Sequence, residues 1–165
     1  MSTFISFCAG VFLLYWPYGW CWYRKEDPDE YGLRWEFRAK DFMQTLAVSA
    51  FILLALTVVA MNWPWEALPR KRGLWTVLNM GASGLTAAII EETFFRGWLQ
   101  PVLERHFHPF AAIVITNLVF APIHLIVAPY WISLCTFFPG LIMGWLKYRY
   151  KNLFPPALFH FIGNI

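Results

Sequence analysis

Apolar runs of about the length of a membrane crossing recur along this chain, and they limit its fold more than any other feature. A helix needs about 20 consecutive apolar residues to cross the ~30 Å hydrocarbon core of a bilayer. Apolar residues make up 59% of the chain and charged residues only 14%, against about 25% charged in an average soluble domain. With 165 residues shared among such runs, little is left for a soluble domain. The sequence predicts an all-α, polytopic membrane bundle of about six spans, folded as one integral-membrane domain over residues 1–165.

The first span is read as Phe4–Tyr23, retained rather than cleaved. It has no basic leader and no small-residue cleavage site, and its Trp and Tyr cluster fits an interfacial belt. Arg24 to Asp41 is strongly polar, with five basic and six acidic residues, and is expected to be a solvated loop with a short surface helix through Leu33–Arg38. Residues 42–63 form the second span, followed by a loop carrying Arg70-Lys71-Arg72. A third helix runs from Leu74 to about Arg105. It is longer than the bilayer is thick, so it should tilt or break. Spans four and five are Pro109–Ala128 and Trp131–Tyr150. The last stretch, Leu153 to Ile165, would make only roughly 20 Å of helix. It either reaches part-way across or continues beyond the sequence given.

Charge placement orients the bundle. With six spans, the loops on one side carry nine Lys and Arg, and the other side carries only the 70–72 cluster. Lys- and Arg-rich loops stay in the cytoplasm, which places the N-terminus outside. The net charge of +3 is too small to suggest nucleic acid. Cys8, Cys21 and Cys135 lie in apolar segments at no metal-ligand spacing and read as small buried hydrophobes.

Inside the third apolar run stands Glu91-Glu92-Thr93-Phe94-Phe95-Arg96. Each charge there costs about 2.5–3.5 kcal/mol on insertion scales, so such residues are functional candidates by default. Just before them, Gly81-Ala82-Ser83-Gly84 and Ala87-Ala88 let neighbouring helices approach closely, which suggests that the charges point into the bundle. Glu92 and Arg96 are i,i+4 and can pair. Glu91, rotated about 100° from Glu92 on a helix, is free of that pair and is the better general base for taking a proton from water. His124 ends Phe120-Ala121-Pro122-Ile123-His124. His160 and Asn164, again i,i+4, can offer hydrogen bonds to one developing oxyanion. Each of these alone reads most simply as structural, and Glu104, His106 and His108 are expected to be structural in an interfacial turn. Two carboxylates, an arginine, two histidines and an asparagine on three apolar helices are hard to explain that way.

These residues carry a resemblance. The sequence is similar to the CPBP family of intramembrane proteases, which includes the CaaX-processing enzymes and the bacterial Abi relatives. The family's Glu-Glu-x-x-x-Arg matches Glu91 through Arg96, its Phe-x-x-x-His matches Phe120 through His124, and its His-x-x-x-Asn matches His160 through Asn164. The order is the expected one, over roughly residues 80–165. The resemblance divides the chain into two N-terminal spans with their polar loop (1–72) and a catalytic core (73–165) around an intramembrane chamber. It implies endopeptidase activity near a substrate's C-terminus. Glu91 would activate water with His124, His160 and Asn164 would form the oxyanion hole, and Glu92 and Arg96 would support them. The family was long described as metalloproteases, the glutamate mechanism being the later view. The residues favour the glutamate mechanism, with no cofactor expected, while Glu91, His124 and His160 could still supply three ligands to zinc. By similarity to small bacterial members, the expected substrates are membrane-anchored proteins with a C-terminal transmembrane tail, in preference to prenylated ones, and the location is a bacterial inner membrane. A non-catalytic scaffold or chaperone that kept the motif shell is the alternative. An ion carrier using the same carboxylates is disfavoured, because no repeated halves are evident.

Overall fold

The computed structural model describes residues 3–62, 73–127 and 129–164. Among these every regular element is helical: α1 (Thr3–Arg24), α2 (Ala39–Asn62), α3 (Leu74–Phe94), α4 (Gln100–Glu104), α5 (Pro109–Val127), α6 (Phe137–Tyr150) and α7 (Phe154–Gly163). Short 3-10 turns occupy Pro28–Tyr31 and Trp131–Thr136. The Arg70-Lys71-Arg72 cluster, the end of the second predicted span and Ile165 lie outside the described residues.

Polarity is distributed inside out. Glu92, Arg96, Gln100, Asn117 and His160 are buried, while Phe4, Phe51 and Phe138 are 65–75% exposed on the outer faces of α1, α2 and α6. A water-soluble domain does the reverse; this arrangement suits a bilayer, where polar groups must find partners inside the bundle. Among the described residues two helices, Phe4–Arg24 and Pro109–Ile126, are long and apolar enough by length and composition to cross a membrane. α6 and α7, at 14 and 10 residues, are only about 21 and 15 Å long.

The long third helix does not stop at the charges. α3 passes through a single π turn, Phe95–Leu99, into α4, where the Gln100 N–H bonds the Phe95 carbonyl five residues back. Three consecutive residues, Phe95, Arg96 and Gly97, are buried there, so neighbours surround this turn on several sides. Phe95 joins Phe120, Met143, Leu146 and Phe159 in the main core. Gly97 faces the other way: a β-carbon there would come 2.4 Å from Leu33 Cδ2. The extra residue of a π turn is a recurrent way of re-aiming side chains at functional positions.

Around this axis α1 packs on α3, α5 on α6, and α7 on α2, α3 and α6. Trp16 and Trp20 of α1 meet Trp98 edge-on at 5.9 and 5.7 Å between ring centres. That part of the expected aromatic belt is therefore a helix–helix contact, while Trp22 and Tyr23 are exposed. Of the cysteines only Cys21 is buried; Cys8 and Cys135 are exposed, because the outer faces of these helices are themselves apolar.

The polar loop corrects the sequence expectation. Leu33–Arg38 forms no helix, because its backbone is used elsewhere. The Leu153 N–H donates to the Arg34 carbonyl at 2.8 Å. The Asn152 side chain accepts from the Glu36 N–H at 3.1 Å and donates to the Glu36 carbonyl at 2.6 Å. Lys147, buried at the end of α6, donates to the Tyr31 carbonyl at 2.7 Å. Arg105 pairs with Glu26 at 3.1 Å and covers the Tyr31 ring. Hydrogen bonds from Tyr31 and Arg105 hold the Glu26 carboxyl below its ordinary range. The loop is thus a strap bonded to the α4–α7 end of the bundle.

Asn152→Ala removes both partners of Glu36's backbone and one of Phe154's. Unpaired buried groups cost about 1–3 kcal/mol each. A clear fall in the melting temperature of the detergent-purified protein is expected; an unchanged melting curve would show that the strap adds nothing to stability.

Candidate active site

The site is built outward from Arg96. Its side chain is fully buried, and a lone guanidinium there would be very unfavourable. One terminal nitrogen donates to Glu92 Oε1 at 3.1 Å. The other donates to Asn117 Oδ1 of α5 at 3.0 Å and to the Gly140 carbonyl of α6 at 3.1 Å. The Phe120 ring lies against the guanidinium, 4.3 Å from ring centre to Cζ. Gly140 is required by this packing: a β-carbon there would sit 1.9 Å from Asn117 Oδ1. One turn further on, Gln100 donates to the Gly144 carbonyl at 3.1 Å. A β-carbon on Gly144 would sit 2.7 Å from Ile113. Two glycines four residues apart therefore bring α6 close to the π turn, to Gln100 of α4 and to α5.

Glu92 Oε1 also receives His160 of α7, 2.9 Å from Nδ1. A carboxylate paired with arginine accepts, so Nδ1 carries the proton and Nε2 is directed away from Glu92. His124 is fixed by the same logic: its Nδ1 is 3.1 Å from the Phe120 carbonyl, which can only accept. Both Nε2 atoms lie 3.9 Å from the same atom, Glu91 Oε2. That oxygen is buried and has no hydrogen-bond partner among the described residues. A separation of 3.9 Å is too long for a direct hydrogen bond. The Phe120 ring is in edge contact with both imidazoles, at 4.6 and 6.1 Å between centres.

Asn164 is placed differently. It lines the same cavity as His124 and His160, a space of about 220 Å³ bounded by α2, α5, α6 and α7, but its amide nitrogen donates to the Gly84 carbonyl of α3 at 3.2 Å. Gly84 makes that approach possible, since a β-carbon there would lie 2.9 Å from Asn164 Cβ. Five of the six sequence-predicted residues thus form one connected group, and the sixth stands at the wall of the adjoining cavity. Glu104 bonds Gln100 at 2.8 Å and pairs with Lys151 at 3.6 Å, and His108 caps the start of α5 at 3.4 Å, all away from the site.

Asn117, Gln100 and Gly140 were not singled out from the sequence. The signal for the first two was present, as uncharged polar side chains inside apolar runs, but attention to ionisable groups passes over them. Gly140 gives no signal until its neighbours are known. Glu91, His124 and His160 are also the residues that zinc would need, yet among the described residues no three His, Cys, Asp or Glu side chains are grouped as a metal site.

A helical bundle with apolar outer faces that gathers two carboxylates, a guanidinium and two imidazoles in its interior has the character of a membrane-embedded protein. The family model for Rce1-like type II CAAX prenyl endopeptidases matches residues 73–165, more than half of the chain, and the chain belongs to that family. Membership brings CAAX-type intramembrane protease activity as the general function. No curated protein and no solved structure matches the chain.

Arg96→Ala leaves Glu92 buried without its cation, and losing one partner of a buried pair costs about 3–5 kcal/mol. Gly140→Ala overpacks the same point, at about 1–3 kcal/mol. Both variants should melt lower than wild type in detergent, Arg96→Ala by more. Wild-type melting of Arg96→Ala would show that this arginine does not hold the bundle together.

Proposed function

We propose that the protein is a glutamate-type intramembrane endopeptidase that cuts a peptide bond near the C-terminus of membrane-anchored substrates. The observation that carries this reading is the buried, unpartnered Glu91 Oε2 set 3.9 Å from the Nε2 atoms of both His124 and His160. A water held between Glu91 and His124 Nε2 gives up a proton to the Glu91 carboxylate as its oxygen attacks the scissile carbonyl carbon. The carbonyl π-bond opens and the oxygen takes the negative charge. His160, protonated on Nε2 and with Nδ1–H on Glu92, stabilises that oxyanion. Asn164 adds its second amide hydrogen, the first being used on Gly84. When the carbonyl re-forms, the C–N bond breaks and Glu91 returns its proton to the leaving amine.

The pairing supports this assignment: Arg96 is committed to the buried Glu92, which leaves Glu91 free of that pair and able to take a proton from water. No step requires a metal. The proposed setting is a six-span bundle in a bacterial inner membrane, with the N-terminus outside and α6 and α7 crossing only part of the bilayer. The proposed substrates carry a C-terminal transmembrane tail.

Glu91→Ala, His124→Ala and His160→Ala should each abolish cleavage while the protein stays folded. Asn164→Ala should slow it by a factor on the order of 10²–10³, as for the loss of an oxyanion donor. The check is a mass-spectrometric comparison of membrane-protein C-termini in host cells carrying wild type or each variant. New C-termini made only by wild type support a protease. Identical profiles from folded, abundant wild type and Glu91→Ala would instead support a non-catalytic scaffold.

A further inference from the structure

The cavity beside the two imidazoles has a wall that comes from outside the family-matched segment. α2 contributes Ser49, Ile52 and Leu53 to it, and Met143 and Phe159 line the same space. This wall is apolar except at Ser49. That residue is 2% exposed, and its Oγ is buried with no hydrogen-bond partner among the described residues.

A serine in a helix ordinarily avoids that state by bonding the carbonyl four residues back. Thr45, one turn earlier on the same helix, does so to Asp41 at 2.7 Å. Thr86 and Thr93 do so at 2.9 and 2.6 Å. Thr136, the other hydroxyl on the cavity wall, is satisfied by the Ser133 carbonyl at 2.7 Å. Ser49 is the exception on this wall. A buried hydroxyl without a partner is unfavourable in the free protein, and the unfavourable state ends when a ligand supplies an acceptor.

A peptide held for cleavage supplies one. Its backbone must be locally extended for water to reach the scissile carbonyl, so neighbouring carbonyls lose their helical partners. Within a membrane those groups have to be satisfied by the protein. We propose that Ser49 is a substrate-positioning residue, its hydroxyl donating to a backbone carbonyl of the bound peptide beside the scissile bond, across the cavity from His124 and His160. The inference rests on the endopeptidase reading and adds to it a contact from α2. A bond to the backbone carries no side-chain preference, so Ser49 would fix the register of the peptide while Ile52 and Leu53 select apolar side chains.

The test uses the full-length protein in detergent and a synthetic peptide spanning a cleavage site identified from the C-terminal comparison above. Ser49→Ala should raise KM by roughly 2- to 10-fold, the scale of one neutral hydrogen bond, with kcat near wild type. Ser49→Thr keeps the hydroxyl and should recover most of that loss. Melting of Ser49→Ala should be unchanged or higher, because an unpaired buried hydroxyl has been removed, whereas a structural serine would lower it. Wild-type KM in Ser49→Ala, or a fall in melting temperature that accounts for the loss, overturns the positioning role. Glu91→Ala in the same assay separates the two ideas. If it is inactive while Ser49→Ala matches wild type, only the serine contact fails. If wild type and Glu91→Ala give the same peptide profile, the protease reading fails and the serine contact with it.

Discussion

A single buried guanidinium sets most of the remaining geometry. Arg96 cannot stay charged inside an apolar bundle unless its donors are met, and the partners it finds come from its own helix, from α5 and from α6. Satisfying it therefore fixes three helices relative to one another. The same requirement explains why a glycine stands at 140, where any side chain would displace Asn117. It also explains why the helix relaxes into a π turn as it passes this point, with buried neighbours on several sides. Cohesion in this bundle comes from polar satisfaction and close small-residue packing, since burying apolar surface against lipid gains little.

The polar chain continues from the arginine toward the chemistry. Glu92 is shared between Arg96 and His160 through the same oxygen, so the carboxylate that neutralises the arginine also sets the orientation of an imidazole on α7. Glu91, one residue earlier, lies on a different face and is left to the Nε2 atoms of both histidines. Adjacent carboxylates thus have separate roles because a helix turns about 100° per residue. One holds the architecture, and the other has an oxygen with no hydrogen bond among the described residues.

The family match covers the helices that bear the motifs, but the site is not closed by them alone. α2 forms one wall of the cavity, and the loop before it is tied through its backbone to the Asn152 side chain and the Leu153 N–H, directly ahead of the helix that carries His160. The N-terminal part of the chain is in this way mechanically joined to the placement of His160, and it supplies Ser49, Ile52 and Leu53 to the lining of the cavity.

Several elements were readable from the residues. The long helix through the glutamates, the helix from Pro109 and the Glu92–Arg96 pair follow from hydropathy and from i,i+4 spacing, because both depend on contacts within one helix. That Glu91 is free of the pair follows in the same way. The convergence of His124 and His160 on one oxygen of Glu91, the sharing of Glu92 with His160 and the use of the Asn164 amide on Gly84 depend on how three helices cross, which local pattern does not encode. Within the polar loop, Leu33–Arg38 reads as a short surface helix because a charged, loosely periodic segment looks amphipathic until its backbone's partners, more than a hundred residues away at Asn152 and Leu153, are known. Asn117, Gly140 and Ser49 acquire meaning only in the packed molecule, where a buried polar atom is judged by whether something lies within reach to bond it.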